Sequence, residues 1–400
     1  MCAGSRVRTL ADHAPLRVAF TNIPRRIWAG GYNYQNNLFT LLNRYCPGEV
    51  LPVMFAGLDD DATDLTTIAQ IPDVKVVRSP AFDRRRSGLA AALALGLDRA
   101  AAAEFRAKRI DVVFESARFF GWRLPFPAIA WFPDFQHRRL PHFFSPVVRW
   151  RRELGFRAQI ASGRTILLSS ESALHDFRKF YPGSTSDISV VRFATWPAAS
   201  SLSADPPAVI AQYNLPSRYF YLPNQFWRHK NHQVAINALA LLKRRGLDVV
   251  VAASGSKDDP RELNYFDNLM QEVARQGLEK NFRYLGMIPL AHVYALLRSS
   301  TALINPSRIE GWSTTVEEAK SFGVPMILSD INVHREQAGG LARYFGADDA
   351  EALANHLSDS LQDGKQVVAR DLLPDLNDSA RAFATGFASM IRRTAAGRRV

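Results

Sequence analysis

Cysteine is nearly missing from this chain. Cys2 and Cys46, two in 400 residues, are too few for a disulfide framework or a thiol-based metal site, which points to a reducing compartment. Long hydrophobic runs are missing too. The longest apolar stretch, Gly88 to Leu97, is too short to span a bilayer and is closed by Asp98-Arg99. The first residues lack an uninterrupted apolar core, so no secretory leader is expected, and a cytoplasmic location follows as the expectation. No internal repeat or low-complexity tract stands out, which sets aside solenoids and fibrous folds. The acidic run Asp59-Asp60-Asp61 reads as a surface loop rather than a metal site.

What the chain does have is apolar residues, at 47%, and positive charge, at a formal +12. Its length fits two domains, each with a core of its own. The arginines cluster at Arg84-Arg85-Arg86, Arg138-Arg139, Arg149, Arg151-Arg152 and Arg157. Interleaved with Val148, Trp150, Leu154 and Phe156, the last group has the make-up of a segment that lies on an anionic membrane, and equally of a solvated helix face. No nucleic-acid-binding module accompanies the charge, and no nucleic acid partner is expected.

Short β-branched or aromatic runs alternate with helical stretches throughout, the signature of α/β layers. Strands are expected at Arg17–Asn22, Val50–Phe55, Lys75–Arg78, Asp111–Glu115, Ala128–Phe132, Thr165–Ser169 and Ser189–Phe193. The Pro-, Ser- and Ala-rich segment Ala194 to Pro207 reads as a linker. A second series follows at Tyr219–Leu222, Val249–Ala253, Phe282–Leu285, Ala302–Asn305 and Met326–Ser329, with helices at His232–Arg245 and Tyr265–Gln276. Phe383, Phe387, Met390 and Ile391 recur at helical spacing in the tail. This predicts two Rossmann-like parallel-sheet domains, 1–200 and 205–375, facing across a cleft, and an amphipathic helix over 376–400 that needs a surface to pack against. Ligands of such sheets bind at the carboxyl ends of the strands.

The most informative segment runs from Asn305 to Ala319. It reads as the end of a strand, a loop carrying Glu310, and a helix carrying Glu318. A helix N-terminus offers unpaired amides and a positive dipole end to phosphate. Gly311 admits a close backbone near Trp312, and Ser313, Thr314 and Thr315 add hydroxyl donors. Carboxylates on either side of that seat can accept bonds from sugar hydroxyls, so the ligand expected is a nucleotide-sugar. Thr314 and Glu317 alone make a capping box, so Glu317 is read as structural.

Arg228 and Lys230 lie in the loop after the first strand of the second half, placed to neutralise a diphosphate. Asn231 equally serves as a plain helix cap. Gly255, closing the next strand, and Gly30-Gly31, after the first strand of the chain, suit either backbone approach to a ligand or a turn. Asp134, Gln136 and His137 leave the end of an apolar strand, where a titrating imidazole could handle a proton.

Taken together, the Glu-Gly-x-Ser run with Glu-Ala following, then Ser321 to Asp330, His334-Arg335-Glu336, Trp227 to Asn231 and Tyr344 to Asp349, resemble the retaining family 4 glycosyltransferases with the GT-B fold. The resemblance is dense from about Tyr219 to Leu353, and it implies that the helix over 376–400 crosses back to the first domain. It implies a metal-independent hexosyltransferase without a resident cofactor, moving a mannose-like sugar to a glycan or lipid-linked glycan in cell-surface polysaccharide synthesis. It places Glu310 on the donor sugar, Glu318 on the ribose, Ser313 and Thr314 on the distal phosphate and Lys230 on the diphosphate. Two positions depart from the family pattern. Gln225 stands where an Arg is usual, with Arg228 as the candidate second charge. Pro133-Asp134 stands where His-Asp is usual, with His137 as the candidate imidazole. The alternatives are a GT-B epimerase or phosphorylase, or an inactive basic membrane- or nucleic-acid-binding protein.

Overall fold

The computed structural model describes residues 14–84, 92–116, 118–197, 199–259, 261–362 and 373–397. Cys2, Arg85, Arg86 and part of the Gly88–Leu97 stretch fall outside them.

Two all-parallel sheets make up the protein. The first contains β1 (Leu16–Thr21), β2 (Val50–Ala56), β3 (Lys75–Arg78), β4 (Val112–Ser116), β5 (Ala128–Trp131), β6 (Thr165–Leu168) and β7 (Ile188–Val190), in the order β3-β2-β1-β4-β5-β6-β7. The second contains β8 (Phe220–Leu222), β9 (Val251–Ala253), β10 (Phe282–Tyr284), β11 (Leu303–Asn305), β12 (Met326–Ser329) and β13 (Ala342–Phe345), in the order β10-β9-β8-β11-β12-β13. The central strands β4, β5, β6, β8 and β11 are buried along their whole length, because helices cover both faces of a parallel sheet. That is why they appear in the sequence as short, mainly apolar runs. β13 is an edge strand with exposed Arg343 and was not among the strands expected from the sequence.

In each sheet the strand order turns around at one place, between β1 and β4 and between β8 and β11. A crevice opens at such a switch point beyond the strand ends. The loops after β1, β8 and β11 therefore all reach the same region.

The expected linker contains a short 3-10 turn, Ala199–Leu202, and then a helix, Pro206–Gln212, capped by Asp205. The last helix, Leu373–Ala396, crosses back to the first sheet. Phe383, Phe387, Met390 and Ile391 are fully buried there, with the Phe387 ring 6.1 Å from Phe20 and 5.7 Å from Phe114. At about 2 kcal/mol for each buried apolar side chain, this face accounts for the attachment.

Candidate active site

On the second sheet's side, the strand–loop–helix arrangement forms as expected. β11 ends at Asn305, and a helix runs over Thr314–Ser321. Asn305 is fully buried and organises the turn: its Nδ2 donates to Ser313 Oγ (2.8 Å) and Thr315 Oγ1 (3.2 Å), while its Oδ1 accepts from Ser307 Oγ (2.7 Å). Gln337 completes the brace, accepting from the Ser313 amide at 3.1 Å and donating to its carbonyl at 2.7 Å. Ser313 is thereby turned into the protein and does not line the cleft, contrary to its expected place on a phosphate. Thr314 and Thr315 do line it, and the helix start receives no side-chain cap. The capping box does not form either. Glu317 takes its bonds from Lys320 Nζ (3.1 Å) and Gln337 Nε2 (2.9 Å).

Glu310 and Lys230 meet in the cleft, Nζ to Oε1 at 2.5 Å, with the lysine side chain 14% and the glutamate 9% exposed. Around them, burial drives His229 and His334 to lower pKa values and His232 down to about 3, so none of these imidazoles adds charge. Arg228 is turned elsewhere. Its Nη1 bonds Glu262 at 3.2 Å, and its guanidinium lies 4.6 Å over the Phe143 ring. Lys230 and Arg228 flank His229 in one tight turn, Arg228–Lys230, so their side chains leave it in different directions. Asn231 follows in the left-handed region and ties the turn to the Pro306 and Ala347 carbonyls instead of capping a helix.

Glu318 lies deeper in the cleft wall, 5% exposed, accepting from Tyr294 OH at 3.3 Å. Desolvation raises its pKa to about 7. Gly255 and Gln225 also line the cleft, and Gln225 Oε1 accepts from the Ser256 amide at 2.8 Å.

The opposite wall comes from the first sheet. Trp28, Trp131 and Tyr34 form a stack, with ring centroids 5.2 Å and 4.2 Å apart about the central Trp131. Gly31 serves that stack rather than a ligand, since a Cβ there would lie 2.4 Å from the Trp28 ring. Gly30 lines the cleft. Arg25 and Arg26, in the loop after β1, line it as well. The sequence reading passed over both arginines and the aromatic stack.

Asp134 is at the cleft but heavily engaged, accepting from Arg152 Nη2 (2.9 Å), the Gln136 amide (3.0 Å) and Gln136 Nε2 (3.1 Å). His137 is not in the cleft. The short helix Gln136–Arg139 turns it into the body, fully buried, with Nε2 3.3 Å from Glu153 Oε2 and its pKa lowered chiefly by desolvation. It does not replace an acceptor-side imidazole.

The two walls touch. A Cβ on Gly311 would lie 1.6 Å from the Pro133 carbonyl oxygen, so only glycine permits this approach. Trp312 Nε1 donates to the Phe193 carbonyl at 3.0 Å. Glu336 accepts from the Glu171 and Ser172 amides (3.0 and 3.1 Å) and from Arg192 Nε (2.8 Å), so an acid of one half caps a helix of the other. Between the walls is a cleft of about 540 Å³. Among the described residues, no three His, Cys, Asp or Glu side chains gather as a metal site.

Comparison with known proteins agrees with this architecture. Residues 211–371 match the family model of the glycosyl transferases group 1. O-antigen chain mannosyltransferase B of Escherichia coli is 35% identical over 100 residues, which is 24% of this chain and 26% of that protein, so the match spans about a quarter of either. Among solved structures, a glycosyltransferase from Rickettsia africae ESF-5 superposes with a TM-score of 0.64 at 14% identity, covering 96% of this chain and 94% of that one. Anabaena Alr3699/HepE, solved in complex with UDP-glucose, superposes with a TM-score of 0.62 at 16% identity, covering 96% and 98%. Residues 211–371 are thus similar to the glycosyl transferases group 1, and the two facing parallel-sheet units have the GT-B fold of the glycosyltransferase structures on which they superpose.

Proposed function

We propose that this protein transfers a hexose from a nucleotide-diphospho-sugar to a hydroxyl of a glycan or lipid-linked glycan, with retention at the anomeric carbon. The observation that carries this reading is the uncapped start of the helix Thr314–Ser321 in an interdomain cleft, with Glu310 and Lys230 at one flank and Glu318 at the other. The helix end and Thr314 and Thr315 seat the diphosphate. Glu310 accepts from hydroxyls of the donor sugar, and Glu318 from the ribose.

The difficult step is departure of the nucleoside diphosphate, because negative charge grows on its terminal phosphate. Lys230 and the helix dipole meet that charge from one wall. Arg25 and Arg26 meet it from the other, in the role first expected of Arg228, so the proposal requires no metal ion. The bond from the anomeric carbon to the phosphate oxygen breaks as the acceptor oxygen bonds to that carbon. The acceptor proton passes to the departing phosphate oxygen. This route needs no side-chain base, which accords with a buried His137 and an engaged Asp134. The Gly311–Pro133 contact holds the walls together and keeps water from the donor.

A mannose donor is the first choice, on the likeness to a mannosyltransferase, and a UDP-sugar the second, on the likeness to a fold relative solved with UDP-glucose. The test is a thermal-shift panel of nucleotide-sugars followed by a transfer assay on the ligand that binds. At a hundredfold excess over its dissociation constant a ligand stabilises the protein by about 2.7 kcal/mol. Stabilisation by one donor, with product only when an acceptor is supplied, is expected. Conversion of the donor with no acceptor present would assign an epimerase instead.

A further inference from the structure

The helix Pro146–Ala161 begins with a turn that nothing among the described residues covers. Every residue from Ser145 to Arg151 is exposed. Val147 is 74%, Val148 44% and Trp150 65% exposed. A surface helix normally turns such side chains toward the core. This helix does so only further along, where Phe156 stacks on Phe132 at 3.8 Å and Leu154 is half-buried. The apolar face expected from the sequence therefore shrinks to the first turn, which gains Val147 and loses Leu154 and Phe156.

Charge is distributed in the same way. Arg138 and Arg157 are neutralised by Glu153 (2.7 and 2.6 Å), Arg139 by Asp176 (2.5 Å) and Arg152 by Asp134 (2.9 Å). Arg149 and Arg151, in the exposed turn, have no acidic partner among the described residues. Two uncompensated guanidinium groups thus surround an apolar tip at the positive end of a helix dipole.

The turn stands beside the cleft. Arg152, next along the helix, reaches Asp134 in the cleft wall. Phe143 and Phe144, just before it, lie beneath Arg228 (4.6 Å) and Arg261 (5.5 Å) of the second half.

We infer that Val147, Val148 and Trp150 insert into the interfacial layer of an anionic phospholipid bilayer while Arg149 and Arg151 bind its phosphates. Basic side chains next to Trp and aliphatic groups are the chemistry such an interface selects, and no described helix is long and apolar enough to cross it. Docking holds the cleft mouth at the membrane. Its consequence, that the acceptor is embedded in that membrane through a lipid, rests on the transferase reading; the docking itself does not.

The experiment is co-sedimentation with vesicles of phosphatidylcholine, and of phosphatidylcholine mixed with phosphatidylglycerol. The full chain is expected to sediment with the mixed vesicles, not the neutral ones, and to be released by salt. Arg149→Glu with Arg151→Glu, and Trp150→Glu alone, should each lower the partition roughly tenfold or more, and Trp150→Phe should retain it. All these positions are exposed, and unchanged melting temperatures will verify that the variants fold. Failure of the wild type to bind mixed vesicles, or binding unmoved by either Glu variant, overturns the inference. So does a concentration-dependent dimer abolished by Trp150→Glu, which would assign the turn to a second copy. Nucleotide-sugar binding by the same samples reports separately on the transferase reading.

Discussion

Lys230 Nζ and Glu310 Oε1 are 2.5 Å apart in the cleft, so the cation assigned to the diphosphate is already neutralised by the acid assigned to the sugar. Donor binding must exchange that partner, freeing Glu310 for sugar hydroxyls as phosphate oxygens take Lys230. Lys230→Ala is therefore expected to lower turnover by about 100- to 1,000-fold, the usual loss when a charge-stabilising donor is removed. Glu310→Gln should also abolish transfer, yet tighten nucleoside diphosphate binding by a factor on the order of ten, because the lysine is no longer paired. Calorimetric titration of both variants checks the pair. Weaker nucleoside diphosphate binding by Glu310→Gln would contradict the exchange.

The assignment of charge across the cleft makes a second prediction. Arg228 bonds Glu262 and covers Phe143, whereas Arg25 and Arg26 line the cleft. Arg25→Ala with Arg26→Ala should cost kcat about tenfold or more, and Arg228→Ala much less. The reverse ranking in steady-state kinetics would restore Arg228 to the diphosphate.

Much of the second half of the site was legible because it is local in the chain: β11, the Glu310 loop and the helix Thr314–Ser321 follow one another within about twenty residues, marked by an apolar run, Gly311 and a hydroxyl-rich helix start. The side-chain directions were not. Ser313 faces inward because of Gln337, on a different helix, and Asn305. His137 faces inward because a short helix follows Phe135 and turns it toward Glu153, on the helix Pro146–Ala161. Arg25, Arg26 and the Trp28–Trp131–Tyr34 stack escaped notice because only the fold brings these distant loops opposite Glu310. Of the strands described, only the edge strand β13 was passed over.

Glu318 supplies a pH prediction. Burial raises its pKa from 4.5 to about 7 in the folded protein, so the folded state holds this proton more tightly than the unfolded chain. The associated stability is fully present below the unfolded value and is lost as pH rises through the folded one. Glu318→Gln should remove this component, so that as pH rises from 4.5 to about 7, the unfolded and folded pKa values, its melting temperature falls less than that of the wild type. Parallel slopes would contradict it. Nucleotide-sugar binding has the opposite sign, strengthening as Glu318 ionises and becomes a better acceptor for the ribose.

Gly311 tests the closed geometry. A methyl group there would strike the Pro133 carbonyl, so Gly311→Ala must part the two walls. Displacements of about 1 Å at a reacting centre can cost on the order of 100-fold, and a loss of that size in kcat/KM is expected. Small-angle scattering should show a more open particle. Full activity with an unchanged profile would show that this contact has no part in catalysis.

In the proposed donor complex a diphosphate seats at the start of the helix Thr314–Ser321 beside Lys230. The decisive experiment is calorimetric titration of GDP-mannose and UDP-glucose into the wild type and Lys230→Ala at one ionic strength. One donor should bind the wild type at one site per chain and bind Lys230→Ala at least about tenfold more weakly. Binding of neither donor to a folded wild type, or equal binding to both proteins, would contradict this seating.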